Sequence, residues 1–165
     1  MWGDRVIAYH GSYLKVEKPD IYHSRDSVDF GKGFYITSVK EQAEKWAARF
    51  RRNNGKGIVS VYEFDLVSVE KNGYKIIKFD GYTEEWLDFI ISCRRLTNSE
   101  KTDVIIGGVA NDKVFNTIEL FFDGLIEKSE AIKRLKYEKP NLQICIRNQK
   151  VIDEYLTFVK SEELL

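Results

Sequence analysis

The chain has 165 residues, of which 43% are hydrophobic and 13% aromatic, so a single domain can bury a sizeable core without disulfides or a structural metal. Its 26 basic and 26 acidic residues cancel, which excludes a strong overall attraction to nucleic acid or to an anionic membrane. No apolar run reaches the roughly 20 residues of a membrane span, and no charged-then-apolar leader opens the sequence. We therefore expect a cytoplasmic protein without membrane contact, with one domain over residues 1–165.

The N-terminal third of the chain predicts two strands and a helix. Residues 5–10 are a short strand candidate, and the glycine-punctuated segment 22–37 leads into a second strand. Ser38 and Glu41 have the spacing of a capping box, and the apolar positions after them recur at helical intervals. The pattern predicts an amphipathic helix over 39–52.

The rest of the chain continues to alternate. In order, we predict a strand at 57–66, a helix at 84–95, a strand at 103–110, helices at 114–125 and 129–136, a strand at 142–146 and a terminal helix at 148–159. Strands from both ends of the chain with helices between them favour the α+β class. Cys93 and Cys145 lie in apolar segments, which predicts buried thiols and no metal site, and all three tryptophans are expected in the core.

Two short segments raise the question of a ligand. His10 stands at the end of the first strand in "YHGS", where a histidine that satisfies a nearby carbonyl is the simpler interpretation. Gly31 and Gly33 flank a lysine in "DFGKGFYIT". Glycine at such positions permits a tight turn or lets the backbone approach a ligand closely. Each segment alone favours the structural interpretation.

The combination of segments is more specific. In order along nearly the whole chain, "YHGS", "DFGKGFYIT", "QAEKWA", "DVIIGGVAND" and "NLQICIRNQKVID" resemble the ADP-ribosyltransferase superfamily of the diphtheria-toxin type, and more closely a family of small bacterial proteins placed in it. The resemblance implies a single-domain α+β fold with a split β-sheet core and flanking helices. It also implies mono-ADP-ribosyl transfer from NAD to a protein or nucleic-acid acceptor. Small bacterial enzymes of this kind often act as toxins held by an antitoxin, which implies a protein partner.

Carried over to this sequence, the resemblance implies a role for each site residue. His10 would hydrogen-bond a ribose hydroxyl of NAD, the Gly11 backbone would meet the nicotinamide carboxamide, and Tyr35 would stack on the nicotinamide ring. The side chains of His10 and Tyr35 are accordingly expected to face ligand rather than core. The other predicted cofactor contacts are Ser12, Phe30 and Gly33.

Gln143 occupies the third catalytic position, where the commonest pattern of the superfamily has a glutamate. Cleavage of the nicotinamide–ribose bond builds positive charge on the sugar, which a carboxylate stabilises better than an amide does. Mono-ADP-ribosylation is therefore favoured over chain elongation, and Gln143→Glu is expected to preserve or increase NAD cleavage. The alternatives are a non-catalytic module that binds NAD, another nucleotide or a protein, and an NAD glycohydrolase that uses water as acceptor.

Several further residues have weaker signals. Asp29 is expected to line the cofactor pocket beside Phe30, and Arg94 or Arg95 to complement a helix dipole or reach the NAD pyrophosphate. Asn111 and Asp112 are expected to cap the next helix or border the active site, and His23 to be a solvated side chain. Residues 49–56 are basic, for which a solvated surface is the default interpretation and nucleic-acid contact the alternative.

Overall fold

The structure is a computed structural model that describes residues 5–23, 29–98, 101–110, 112–137 and 141–165. Its strands are β1 (Val6–Ser12), β2 (Phe34–Ile36), β3 (Ile58–Phe64), β4 (Ile76–Lys78), β5 (Val104–Gly107), β6 (Gln143–Ile146) and β7 (Leu156–Glu163). Its α-helices are α1 (Lys40–Ala48), α2 (Leu66–Lys71), α3 (Glu84–Arg94), α4 (Asp112–Phe122), α5 (Lys128–Leu135) and α6 (Gln149–Tyr155), and a 3-10 helix spans Arg49–Asn54.

The strands form two separate sheets. One has three antiparallel strands in the order β1-β3-β7. The other has four strands in the order β2-β6-β5-β4, in which only the β4–β5 pair is parallel. The predicted α+β class is therefore confirmed.

Two large apolar clusters lie on opposite faces of the four-stranded sheet. Strand β6 illustrates this division, because all four of its residues are buried while their side chains alternate in direction. Ile144 and Ile146 pack into the first cluster with side chains of β1 and β3. Cys145 packs into the second cluster, which α3, α4 and α5 cover with side chains such as Trp86. A burial pattern of this kind requires a cover on both faces of the sheet.

Most of the predicted elements are present, and the clearest is α3. Its apolar side chains Trp86, Phe89 and Ile90 are buried, as the periodicity indicates. The helix begins at Thr83, whose hydroxyl oxygen accepts a hydrogen bond from the Trp86 backbone N–H at 3.2 Å. Cys93 and Cys145 are both buried free thiols, as predicted.

The predicted start of α1 is wrong in detail. The helix begins after Val39, which makes no side-chain cap, so the capping box of Ser38 and Glu41 does not form. Beyond Ala48 the α-helix gives way to the 3-10 helix. Trp46 is only half-buried, whereas Trp86 is fully buried, and the remaining tryptophan lies outside the described residues. The expectation of a core position is thus correct for Trp86 and wrong for Trp46.

The predicted terminal helix over 148–159 is also wrong beyond its first turns. Helix α6 ends at Tyr155, and the chain continues directly into β7, which pairs with β3 from Leu156 to Glu163. The pairing satisfies the second edge of β3, and a β-bulge between Val61 and Tyr62 adjusts its register. Helix α2 and strand β4 are additional elements that the sequence pattern did not predict.

Candidate functional site

The two sheets meet at the C-terminal end of β1. Tyr9 and Thr37 form an isolated antiparallel bridge, with backbone N–H to carbonyl distances of 2.8 and 2.9 Å. The bridge holds the last residues of β1 beside strand β2. It brings together the two segments, "YHGS" and "DFGKGFYIT", in which the sequence predicts a ligand site.

His10 is fixed by a hydrogen bond to β2. Its Nδ1 lies 2.7 Å from the carbonyl oxygen of Tyr35. A carbonyl oxygen only accepts, so Nδ1 carries the proton and Nε2 is left as an acceptor in the neutral ring. Burial lowers the pKa of His10, which favours this neutral form, although the bond to Tyr35 acts in the opposite direction. The ring also packs at 4.6 Å between centroids against Phe34.

A cavity of about 500 Å³ lies beside His10. Its wall consists of His10, Ser12, Gly33, Phe34 and Tyr35, together with residues 13–18, Asp20 and His23. The volume is in the range of small-molecule sites, which are about 300–1,000 Å³. Four of the six predicted cofactor contacts, namely His10, Ser12, Gly33 and Tyr35, therefore share one cavity.

Gly11 is next in the chain to two residues of the cavity wall, but the packing of α1 explains why a glycine is needed there. A Cβ atom there would lie 2.1 Å from the Ala43 carbonyl oxygen and 2.8 Å from the Ala47 nitrogen of α1. Helix α1 can thus approach β1 only because residue 11 has no side chain. In the β1–β3 pair, Gly11 stands opposite Val59. Gly11 does not line the cavity, and its contact with nicotinamide stays a prediction.

Phe30 lies in the core instead of the cavity wall. The side chain is fully buried, and its ring packs edge-on against Phe89 at 6.1 Å and stacks near Phe79 at 6.3 Å between centroids. These contacts account for the apolar side chain without any ligand.

The side chain of Tyr35 anchors the glycine-containing loop. Its hydroxyl donates to the Gly31 carbonyl oxygen at 2.5 Å and accepts from the Phe30 backbone N–H at 3.1 Å. Burial is the main reason that the pKa of this phenol is raised well above its ordinary value. Gly31 needs its lack of a side chain, because its φ is +78°. The phenol of Tyr35 therefore has structural contacts, contrary to the expectation that it faces only a ligand.

Gln143 is the first residue of β6, but it is not part of the cavity wall. Only 4% of the residue is exposed. Its Nε2 donates to Asp29 Oδ2 and to the Gly108 carbonyl oxygen, both at 3.3 Å. Both of these hydrogen bonds use the amide nitrogen, which leaves Oε1 as the end without a hydrogen bond inside the described ranges.

Asp29 is a nearly buried carboxylate beside Gln143. Its Oδ2 also accepts from the Ala110 backbone N–H at 3.3 Å, and its Oδ1 lies 3.8 Å from the Arg94 guanidinium, which also pairs with Glu119. Burial raises the pKa of Asp29, and these donors only partly oppose that effect. Asp29 lies apart from the cavity, so its predicted place beside the cofactor becomes a place beside Gln143.

The other weakly predicted residues have separate outcomes. Arg94 is engaged by two carboxylates, and Arg95 lies over the Phe122 ring at 5.3 Å, so neither belongs to the cavity wall. His23 is exposed as expected and pairs with Asp20 at 2.8 Å. The predicted caps at 111 and 112 fall on a residue and a side chain outside the described part of the chain.

A second cavity of about 450 Å³ opens elsewhere around the same loop. Its wall includes Gly31, Lys32 and Arg147, but none of the predicted cofactor contacts. We therefore base the candidate site on the cavity beside His10.

Comparison with known proteins gives one match. The model of a family described as "Protein of unknown function (DUF3990)" matches residues 6–158. The chain belongs to the DUF3990 family. No curated protein and no solved structure matches this DUF3990 chain.

The described part of this DUF3990 chain contains neither a metal-binding cluster nor a membrane-spanning helix. Among the described residues, no group of three or more histidine, cysteine, aspartate or glutamate side chains is arranged to hold a metal ion. In the same ranges, no helix combines the length and the apolar character needed to cross a bilayer.

Proposed function

We propose that this chain is an NAD-dependent mono-ADP-ribosyltransferase that binds NAD in the cavity beside His10. The observation that carries the proposal is the 2.7 Å contact between Nδ1 of His10 and the Tyr35 carbonyl oxygen, because it makes Nδ1 the donor and leaves Nε2 as an acceptor on a residue of the cavity wall. A ribose hydroxyl is a donor that fits such an acceptor. The sequence resemblance supplies the choice of NAD among ligands that carry a ribose.

Tyr35 would hold its ring in a fixed plane. The hydroxyl is fastened to Gly31 and Phe30, so the ring has little rotational freedom to lose when a planar nicotinamide stacks on it. Fixing a group before the reaction lowers the entropy that the reaction must overcome.

Gln143 and Asp29 lie outside the cavity wall, so in this proposal they would act as a pair on the developing positive charge of the ribose through space, without touching the sugar. Nε2 of Gln143 donates to Asp29 and Gly108, so the oxygen Oε1 is the end of the amide without a hydrogen bond inside the described ranges. The Asp29 carboxylate behind the amide increases the negative partial charge on Oε1, which partly replaces the carboxylate of the commonest superfamily pattern.

The transfer itself conserves atoms and electrons. The bond between the ribose C1′ and the nicotinamide nitrogen breaks, and its electron pair leaves with nicotinamide, which becomes neutral. An acceptor oxygen or nitrogen forms the new bond to C1′ and loses its proton. No oxidant or reductant takes part.

The test uses His10→Asn. An asparagine amide keeps an N–H donor near the position of Nδ1 but offers no acceptor at the position of Nε2. With the parent protein, NAD should raise the melting temperature, and chromatography should detect released nicotinamide. We expect His10→Asn to retain the melting temperature of the ligand-free parent and to lose both responses. The proposal is contradicted if NAD leaves the parent melting curve unmoved, or if His10→Asn cleaves NAD at the parent rate.

A second candidate function is a non-catalytic NAD-binding module. The observation that favours it is the position of Gln143, which lies outside the cavity wall. An NAD-dependent rise in melting temperature without nicotinamide release would support this module. Nicotinamide release without ADP-ribose on any macromolecule would instead support an NAD glycohydrolase.

A further inference from the structure

A group of exposed aromatic and basic side chains begins at the cavity wall and continues along the 3-10 helix. We call it the rim patch, and it consists of Tyr13, Arg49, Phe50, Arg51 and Arg52. Tyr13 is 60% exposed and Phe50 is 41% exposed, and their ring centroids are 5.6 Å apart. Tyr13 is also part of the cavity wall. The rim patch is therefore continuous with the site where the proposed function binds NAD.

The charge of the rim patch is local and of one sign. Residues 49–56 contain four basic and no acidic residues, although the whole chain is balanced at 26 of each. Lys56 pairs with Glu163 at 3.8 Å. Within the described ranges, no ion pair involves the three arginines of the rim patch, and all three are exposed. Their positive charge is thus available to a partner.

The two kinds of side chain suit two different parts of one polymer. Exposed aromatic rings stack on unpaired bases, and arginines neutralise phosphates. An acidic protein would use the arginines but not the rings, and a duplex would keep its bases away from the rings. Alternation of basic and aromatic side chains in "RFRR" therefore favours a single-stranded nucleic acid.

We propose that the rim patch binds single-stranded nucleic acid, and that this strand is the acceptor of the ADP-ribose. The binding of the strand stands on the rim patch alone, whereas its role as acceptor rests on the proposed function. The geometry agrees with both, because a strand on Tyr13 and Phe50 lies at the cavity where C1′ would be exposed to attack.

Binding is measured without NAD, by fluorescence anisotropy of labelled single-stranded RNA and DNA of mixed sequence and of the matched duplex. The test variant is Arg49→Gln/Arg51→Gln/Arg52→Gln, in which glutamine keeps the Arg51 methylenes that pass close to Gly57. The control, Lys133→Gln/Arg134→Gln/Lys136→Gln, makes the same charge change at exposed positions in and after α5. Circular dichroism and melting curves check that both variants fold.

We expect the parent to bind a single strand more tightly than the duplex. A plot of log affinity against log salt concentration has a negative slope, and the rim-patch variant should make it shallower by about 2. Each phosphate contact on a single strand contributes about 0.7 to its steepness, and the variant removes three arginines. The control should keep the parent slope. Tyr13→Ala and Phe50→Ala should each weaken binding about 5- to 150-fold, which corresponds to the loss of one stacked base.

The proposal is overturned if the rim-patch variant binds as the control does. It is also overturned if polyglutamate competes as well as the single strand and the ring substitutions have no effect, which would indicate an acidic protein partner. His10→Asn should bind the strand as the parent does. If it does so while the parent fails to cleave NAD, the surface stands and the proposed function fails.

The acceptor role has its own readout. With NAD present, mass spectrometry of the bound strand should detect one added ADP-ribose for the parent and none for His10→Asn. If the parent cleaves NAD and binds the strand but leaves its mass unchanged, the acceptor role is wrong.

Discussion

His10 and Gln143 are both polar residues with little exposure, but His10 contacts a neutral carbonyl whereas Gln143 contacts a carboxylate. His10 is a neutral ring beside a cavity, and one backbone carbonyl satisfies its proton. Gln143 lies apart from that cavity, against the nearly buried carboxylate of Asp29, whose countercharge Arg94 is shared with Glu119. A neutral hydrogen-bonded group costs little to bury, whereas a charged one costs several times more.

The fold gives up stability at Asp29 and not at His10. A histidine in the tautomer that its neighbours require needs no ligand to explain it. A carboxylate whose pKa is raised by burial is in a less favourable environment than water offers, so the fold would be better without its charge. Groups of this kind concentrate at functional sites. The Asp29–Gln143 pair is therefore where substitutions separate function from stability.

The largest effect should come from Phe30→Ala, which tests whether the neighbour of Asp29 in the chain is structural. Phe30 is fully buried against Phe79 and Phe89, so its loss should lower the free energy of unfolding by about 3–5 kcal/mol. Urea denaturation measures this, with the half-exposed Phe50→Ala as the matched control. A loss below about 1 kcal/mol would mean that Phe30 is not part of the core, and it would favour the prediction that Phe30 contacts the cofactor.

Gln143→Ala should have an intermediate effect, on the reaction rather than on binding. If Oε1 stabilises charge that develops in the transition state, the activation free energy of NAD cleavage rises by about 1–3 kcal/mol. The value of kcat then falls roughly 5- to 150-fold, while KM changes little. Gln42→Ala is the control, because Gln42 is also a buried glutamine and donates to the Leu142 carbonyl oxygen at 2.7 Å. Equal kcat values for the parent and Gln143→Ala would exclude Gln143 from the reaction.

Replacement of Gln143 by glutamate sharpens the same point. From the sequence alone, Gln143→Glu should preserve or increase NAD cleavage. The contact with Asp29 changes this expectation, because two carboxylates would then share the position of a 3.3 Å hydrogen bond. We expect Gln143→Glu alone to lose activity and Asp29→Asn/Gln143→Glu, which restores a donor opposite an acceptor, to recover it. If the double variant is no better than the single one, the two residues do not act as a pair.

The smallest effect should be a gain in stability for Asp29→Asn. Because burial raises the pKa of Asp29, this group stabilises the fold below the ordinary aspartate pKa, and the contribution is lost as the pH rises through the raised pKa. At pH 7.5 the free energy of unfolding of the variant should exceed that of the parent by about 0.5–1 kcal/mol, and this difference should shrink towards pH 3. NAD cleavage should fall. A variant that is less stable at every pH would indicate a structural role for the charge.

The sequence predicted the parts of the fold that depend on local pattern. Helix α3 has both a cap at Thr83 and a clear apolar face, so its bounds follow from nearby residues. The bounds of strand β7 do not follow from nearby residues, because Leu156 and its neighbours continue the apolar spacing of α6. What makes them a strand is the free edge of β3, which is distant in the sequence.

The candidate site divides in the same way. His10, Ser12, Gly33 and Tyr35 share a cavity. They could be found from the sequence because "YHGS" and "DFGKGFYIT" each place a glycine at the end of a predicted strand. The pairing of Asp29 with Gln143 could not be read, because it depends on the register between β2 and β6 and on the loop before β2. The signal in the sequence was that Asp29 and Phe30 directly precede the glycines, and it predicted a place in the cofactor pocket instead.

Strand β7 also determines when the three-stranded sheet can form during synthesis. Strand β3 is the centre of that sheet, and one of its edges stays open until residues 156–163 have left the ribosome. Pairings between segments this far apart in the chain form slowly, and an open edge with buried side chains on either face can pair with another nascent chain. Until β7 has been made, the nascent chain is exposed to such pairing, and truncation before Leu156 should produce aggregates.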